Sequence, residues 1–99
     1  MLENIELGSK LKHDFKVMSS KEGIFMKDLI LNEAREILSS DYSVPTIERE
    51  ENYTSLIINV SEDLKDEIKS YCNMNDIRLR DFWIECIHKS MRRYNGTGN

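Results

Sequence analysis

The side chains best suited to metal or nucleophilic chemistry are two histidines and two cysteines, and their spacing supports neither use. His13 and His88 have no ligand-spaced partners, whereas a zinc-type site draws three or four donors together. Cys72 and Cys86 both fall on apolar positions of helical patterns, where a thiol serves as a small buried hydrophobe. The sequence holds no Ser/His/Asp set, Gly-rich phosphate loop or carboxylate dyad, so the expectation is no catalytic residue, no metal, no cofactor and no enzyme. What remains is hydrogen-bonding chemistry on two short alternating stretches, Asn4-Ile5-Glu6-Leu7 and Ser55-Leu56-Ile57-Ile58-Asn59-Val60. Period-two alternation buries one face and frees the other, leaving Asn4, Glu6 and Asn59 either solvated or available to a partner. Lys27 and Arg80 stand open between ordinary helix surface and anion contact, while Arg92-Arg93 suits the C-terminal end of a helix dipole.

The elements that position these residues come from an internal repeat. Shifted by 53 residues, the chain superposes on itself without a gap. Ile5 and Leu7 fall on Ile58 and Val60; Leu11, Phe15 and Met18 fall on Leu64, Ile68 and Tyr71; Leu29, Ile30 and Leu31 fall on Phe82, Trp83 and Ile84. Each copy reads as a strand, a punctuating small residue (Gly8 or Ser61), a first helix, a break, and a second helix. Ser61 is an N-cap candidate with Glu62 and Asp63 in the first turn. Gly23, and Asn75 or Asp76, can take the left-handed conformation that ends a helix. The second helices are predicted from about Met26 to Ser39 and from Leu79 to about Tyr94.

Composition fits a small globular chain: of 99 residues, 39% are hydrophobic and 32% charged. A formal charge of −4 excludes attachment to nucleic acid by bulk positive charge, though not a local basic surface. Between the copies, turn formers, the single Pro45 and an acidic cluster mark a connector. It sets Arg49 against Asp41, Glu48, Glu50 and Glu51, so most of the net charge belongs there. The organisation expected is a first motif over 1–39, an acidic linker over 40–53, a second motif over 54–94 and a flexible tail over 95–99. No secretory signal or membrane-spanning stretch is apparent, which implies a reducing, cytoplasmic location and no membrane partner.

A lone strand–helix–helix unit leaves strand edges and a helical face open, so two copies should close on each other. The expected fold class is α+β, mainly α: one folded unit with a two-stranded antiparallel ribbon and four helices. The predicted core is Ile5, Leu7, Leu11, Phe15, Met18, Leu29, Ile30, Ile58, Val60, Leu64, Ile68, Phe82 and Trp83.

The succession of strand, cap, Leu11-x3-Phe15-x2-Met18 and Gly23-Ile24-x-Met26-Lys27-Asp28-Leu29-Ile30 resembles the ribbon-helix-helix family of Arc- and MetJ-type regulators. So does Leu56-Ile57-Ile58-Asn59-Val60-Ser61-Glu62-Asp63-Leu64-Lys65. The likeness covers residues 2–38 and 55–94 and is to the tandem form, an intramolecular pseudo-dimer seen in some archaeal-virus and plasmid proteins. It implies that outward ribbon side chains read base edges in the DNA major groove: Leu2, Asn4 and Glu6 from the first strand, and Ser55, Ile57 and Asn59 from the second. It also implies that the second-helix N-termini hold phosphates, at Met26 and Lys27 in one copy and Arg78, Leu79 and Arg80 in the other. The sequence departs from the family in having no basic residue on the outward ribbon face, and in placing Phe25 and Arg78 where Ser, Thr or Asn usually caps the second helix.

The function implied is a sequence-specific double-stranded-DNA-binding transcriptional regulator, a repressor of viral or plasmid type. It would take no small-molecule substrate, would sit in the host cytoplasm or nucleoid if viral, and would have copies lying side by side on DNA. The alternatives are a protein-interaction module (antitoxin or assembly adaptor) and a plasmid partition or relaxosome accessory DNA-binding protein.

Overall fold

The computed structural model describes residues 1–95, and its elements run β1 (Leu2–Gly8), α1 (Ser9–Glu22), α2 (Met26–Leu38), β2 (Tyr53–Asn59), α3 (Glu62–Met74) and α4 (Leu79–Asn95). Among the described residues the fold is α+β and mainly α, with four helices and one two-stranded antiparallel sheet. Ser9 and Glu62 begin the first helices of the two copies, and Met26 and Leu79 the second, so both helix starts repeat at the interval of 53 residues.

Alternation makes the strands. Ile5 and Leu7 on β1, and Leu56 and Ile58 on β2, turn inward and are buried. Each such side chain contributes about 2 kcal/mol relative to exposure. A slip of one residue would turn all of them to solvent, so the buried face sets the register. The ladder runs from Leu2 opposite Asn59 to Gly8 opposite Tyr53, with Asn4 opposite Ile57. It is closed at its ends by Val60 N–H donating to Met1 O (2.8 Å) and Ser9 N–H to Asn52 O (2.9 Å).

Helix boundaries follow local chemistry. Ser61 Oγ accepts from Leu64 N–H at 3.2 Å and caps α3, with Glu62 and Asp63 in the first turn. Gly8 holds the corresponding place before α1 without a side-chain cap. Gly23 ends α1 at φ 70°, its N–H donating to Ser20 O at 3.3 Å. In the second copy Asp76, rather than Asn75, takes positive φ, at 54°.

The core lies between the ribbon and the helices, with α2 packed on α4. Of the predicted core, Leu11 and Leu64 are half-buried and packed against its edge, and the others are buried. Leu31, Ala34, Ile37, Ile84, Ile87 and the free thiols Cys72 and Cys86 join them. Burial pushes the Cys72 thiol up to about 11 and the Cys86 thiol well above its ordinary value, so both stay protonated near neutrality.

Residues 39–52 hold no helix or strand, yet they are fastened along their length. Tyr42 lies against α3 and α4: Tyr71 Oη donates to Tyr42 O at 2.9 Å, Arg92 Nη2 donates to Tyr42 Oη at 2.9 Å, and Tyr42 Oη donates to Glu85. Val44 and Ile47 pack on the core edge. Tyr94 and Asn95 complete α4, and the rest of the expected tail, residues 96–99, lies outside the described residues.

Candidate nucleic-acid interface

The outward ribbon face is a compact grid. Leu2 opposes Asn59, Asn4 opposes Ile57 and Glu6 opposes Ser55, so the six residues assigned to base reading share one face of the sheet. The bonds closing the ladder join residues 1 with 60 and 9 with 52, which makes these three outward pairs the non-hydrogen-bonded ones. There cross-strand side chains stand closest, with Cα atoms about 4.5 Å apart. Leu2 is 71% exposed and Ile57 60%. Asn59 Oδ1 accepts from the N-terminal ammonium at 2.7 Å, and Ser55 O accepts from Lys12 Nζ at 2.7 Å. Glu3 faces inward instead: its carboxylate is buried, paired with Lys65 at 2.7 Å and accepting from Trp83 Nε1 at 3.3 Å.

The strands themselves carry no outward basic residue, and the connector brings one onto their face. Arg49 Nη2 reaches both carboxylate oxygens of Glu6, at 3.0 and 2.9 Å, and its guanidinium lies 4.5 Å from the centroid of the Tyr53 ring. Tyr53, like Ser55, points outward, so Arg49 covers the corner formed by Glu6, Ser55 and Tyr53.

The five residues assigned to phosphate holding divide between two unlike ends. At the start of α2, Met26 is half-buried and Lys27 exposed. They border an open groove of about 470 Å³ completed by Phe25, Asp28 and Leu56–Asn59 of β2. Phe25, at the N-cap position, contributes no side-chain cap and is 79% exposed. At the start of α4, Arg78, Leu79 and Arg80 sit beneath the connector. Arg78 Nη2 donates to Ile47 O (3.0 Å), and Arg80 donates to Ile47 O (2.8 Å) and Glu48 O (3.2 Å). Both guanidinium groups also bond Asp81, which is buried. The ribbon and the start of α2 are thus brought together, whereas the basic groups at the start of α4 are already partnered.

At the far end of the helices, Arg93 Nε reaches Glu33 at 2.7 Å and Arg93 Nη2 reaches Glu36 at 2.5 Å, tying α4 to α2. These carboxylates raise the Arg93 pKa, fixing its charge. Arg92 pairs with Glu85 at 2.9 Å, and His88 Nδ1 lies 3.7 Å from the same carboxylate. Arg93 therefore serves the packing of α4 on α2, and Arg92, bonded to Tyr42 Oη as well as to Glu85, serves the fastening of the connector to α4.

No known protein family, curated protein or solved structure matches the chain.

Among the described residues, no helix is long and apolar enough to cross a membrane. Arg49, Tyr53 and Phe25 are among the residues near the ribbon that were not assigned a contact from sequence, as are Met1, Lys12 and Asp28. The usable signal for Arg49 was that it is the one cation of an acidic connector entering β2 four residues later.

Proposed function

We propose that this chain is a tandem ribbon-helix-helix protein, an intramolecular pseudo-dimer that binds double-stranded DNA sequence-specifically as a transcriptional regulator and most simply as a repressor. The observation that carries the reading is the register. Asn4 and Ile57, the same position in the two copies, stand opposite one another as the middle of the three outward pairs. Leu2 and Ser55 are likewise equivalent and lie at opposite ends, so the ribbon has the approximate two-fold character of two half-sites. A two-stranded ribbon fits the major groove, about 12 Å wide. In that groove Asn4 and Asn59 can pair with adenine, Ser55 with several bases, and Leu2 or Ile57 with a thymine methyl. The exposed start of α2, with Lys27, supplies a phosphate contact on one flank.

Selection of bound duplexes from a random pool tests this directly, because it yields binding and the recognised site together. The expected result is an enriched site bound with an affinity that falls steeply with salt. The Ile57→Ala, Asn59→Ala double variant should weaken that site more than random DNA; equal loss on both would remove the base-reading claim.

The exposed Phe25, Ile57 and Leu2 favour a second reading, a protein-interaction module. Capture of a protein partner by a chain that enriches no duplex would select it.

A further inference from the structure

We propose that Arg49, delivered by the connector, reads a guanine at one end of the DNA site, with Glu6 and Tyr53 as its positioning residues. This rests on the DNA-binding reading above and deepens it.

Three observations converge. First, the backbone on both sides of residue 49 is held. Upstream, Arg80 and Arg78 donate to Ile47 O at 2.8 and 3.0 Å, and Arg80 also to Glu48 O at 3.2 Å. Downstream, the Glu50 carboxylate lies on Gly8 so closely that a Cβ there would meet Glu50 Oε2 at 1.3 Å, and Asn52 O accepts from Ser9 N–H at 2.9 Å. Second, the guanidinium is oriented. Glu6 takes Nη2 through both oxygens, and the Tyr53 ring lies 4.5 Å away. Among the described residues, Nε and Nη1 make no hydrogen bond, so donors remain for a ligand. Third, the guanidinium is open to a ligand. The Arg49 side chain is 56% exposed at the margin of the outward grid and answers the charge of Glu6, while the exposed Glu48, Glu50 and Glu51 keep the neighbouring connector acidic, which favours a specific base contact over general attraction to phosphates.

A planar guanidinium with free N–H groups matches guanine O6 and N7, the commonest specific contact in the major groove. Ordering of the long side chain before binding lowers the entropic cost of making that contact. The connector supplies a guanidinium at the Glu6–Ser55 end of the ribbon, whereas the opposite end carries Leu2 and Asn59, with the Met1 ammonium, which has no planar fork, on the Asn59 amide oxygen. The recognised site should therefore be a near-palindrome in which one terminal position alone demands guanine.

The test compares duplex selection and competition binding for the full chain, Arg49→Ala, Arg49→Lys and Glu6→Gln, with Lys21→Ala as a surface-charge control. Arg49→Ala should flatten the guanine preference at one terminal position by about tenfold, leaving the other positions unchanged. Arg49→Lys should fail to restore it, because an ammonium lacks the planar fork. Glu6→Gln should blur the same position while strengthening binding to random DNA, a combination that loss of fold would not give. An unchanged motif with affinity within about twofold, or a loss spread evenly over all duplexes and matched by Lys21→Ala, overturns the assignment of Arg49 alone. A wild-type chain that enriches nothing overturns it together with the DNA-binding reading.

Discussion

The two copies diverge most where their second helices begin. Phe25 and Arg78 hold the same place, each accepting through its carbonyl the first helical bond, from Leu29 and Phe82 respectively, at 3.1 Å. Beyond that bond the ends are opposites. At α2 the aromatic ring, Lys27 and Asp28 face solvent beside the ribbon. At α4 the equivalent Arg78, Arg80 and Asp81 form an ion cluster roofed by the backbone of Ile47 and Glu48. One duplicated pattern has thus produced a structural joint at one end and a free surface at the other. The connector makes the difference, because it crosses only one of them.

The sharpest way to break this contrast is the matched pair Asp81→Ala and Asp28→Ala. Asp81 is 2% exposed and answers two guanidinium groups, whereas Asp28 is exposed. Deleting the buried partner of an ion cluster leaves its charges unanswered, and Asp81→Ala should lose about 3 kcal/mol. Asp28→Ala should stay within about 0.5 kcal/mol of the parent. Denaturant unfolding measures both, and similar losses would erase the distinction.

Ile47→Ala probes the roof itself. Its half-buried side chain holds the connector on the core edge, and truncation should cost about 1.5 kcal/mol and speed amide exchange at the start of α4 while leaving α2 unaffected. Equal acceleration at both helix starts would show that the connector does not distinguish them.

The asymmetry was only half legible in the sequence. Alternation located both strands, and the equal spacing of Leu11, Phe15 and Met18 and of Leu64, Ile68 and Tyr71 located the first helix of each copy, because each buried face imposes its own period. Phe25 and Arg78 already stood out as substitutes for a capping residue. The fastening of the connector was hidden, since its bonds run through the carbonyls of Ile47 and Glu48, and a carbonyl has no residue type. Arg49 was hidden for a related reason: an exposed ion pair between residues 43 apart leaves no periodic trace. The buried acids Glu33, Asp81 and Glu85 were equally obscure, being charged residues on faces that packing otherwise reserves for apolar ones.

A pH titration sharpens the view of the connector's upstream anchor. Burial, followed by its hydrogen bond to Glu85, pushes the Tyr42 hydroxyl up to about 12 from 10.0. The folded state therefore favours the neutral phenol. That stabilisation is complete below pH 10 and is lost as pH rises toward 12. A decline of about 1 kcal/mol is expected after allowing for solvent screening. The buried thiols Cys72 and Cys86 add their own losses above pH 9, so Tyr42→Phe should shrink this alkaline limb rather than abolish it, and a limb of unchanged size would assign it to the thiols.

The smallest effect, and the one with opposite signs at the two ends, comes from placing serine at each N-cap. Phe25 already has the extended backbone of a capping residue, φ −63° and ψ 142°, and differs little from Ser61 at φ −63° and ψ 150°. A serine hydroxyl there can accept one of the free amide hydrogens of the first turn, as Ser61 Oγ does from Leu64. The ring it replaces is 79% exposed, so little packing is lost. Phe25→Ser should gain about 0.5 kcal/mol. Arg78→Ser installs the same cap but removes bonds to Ile47 O and Asp81, so it should lose stability. Thermal unfolding of both variants resolves the signs: stabilisation by both would mean that the roof over α4 holds nothing, because the cap alone would then decide the outcome.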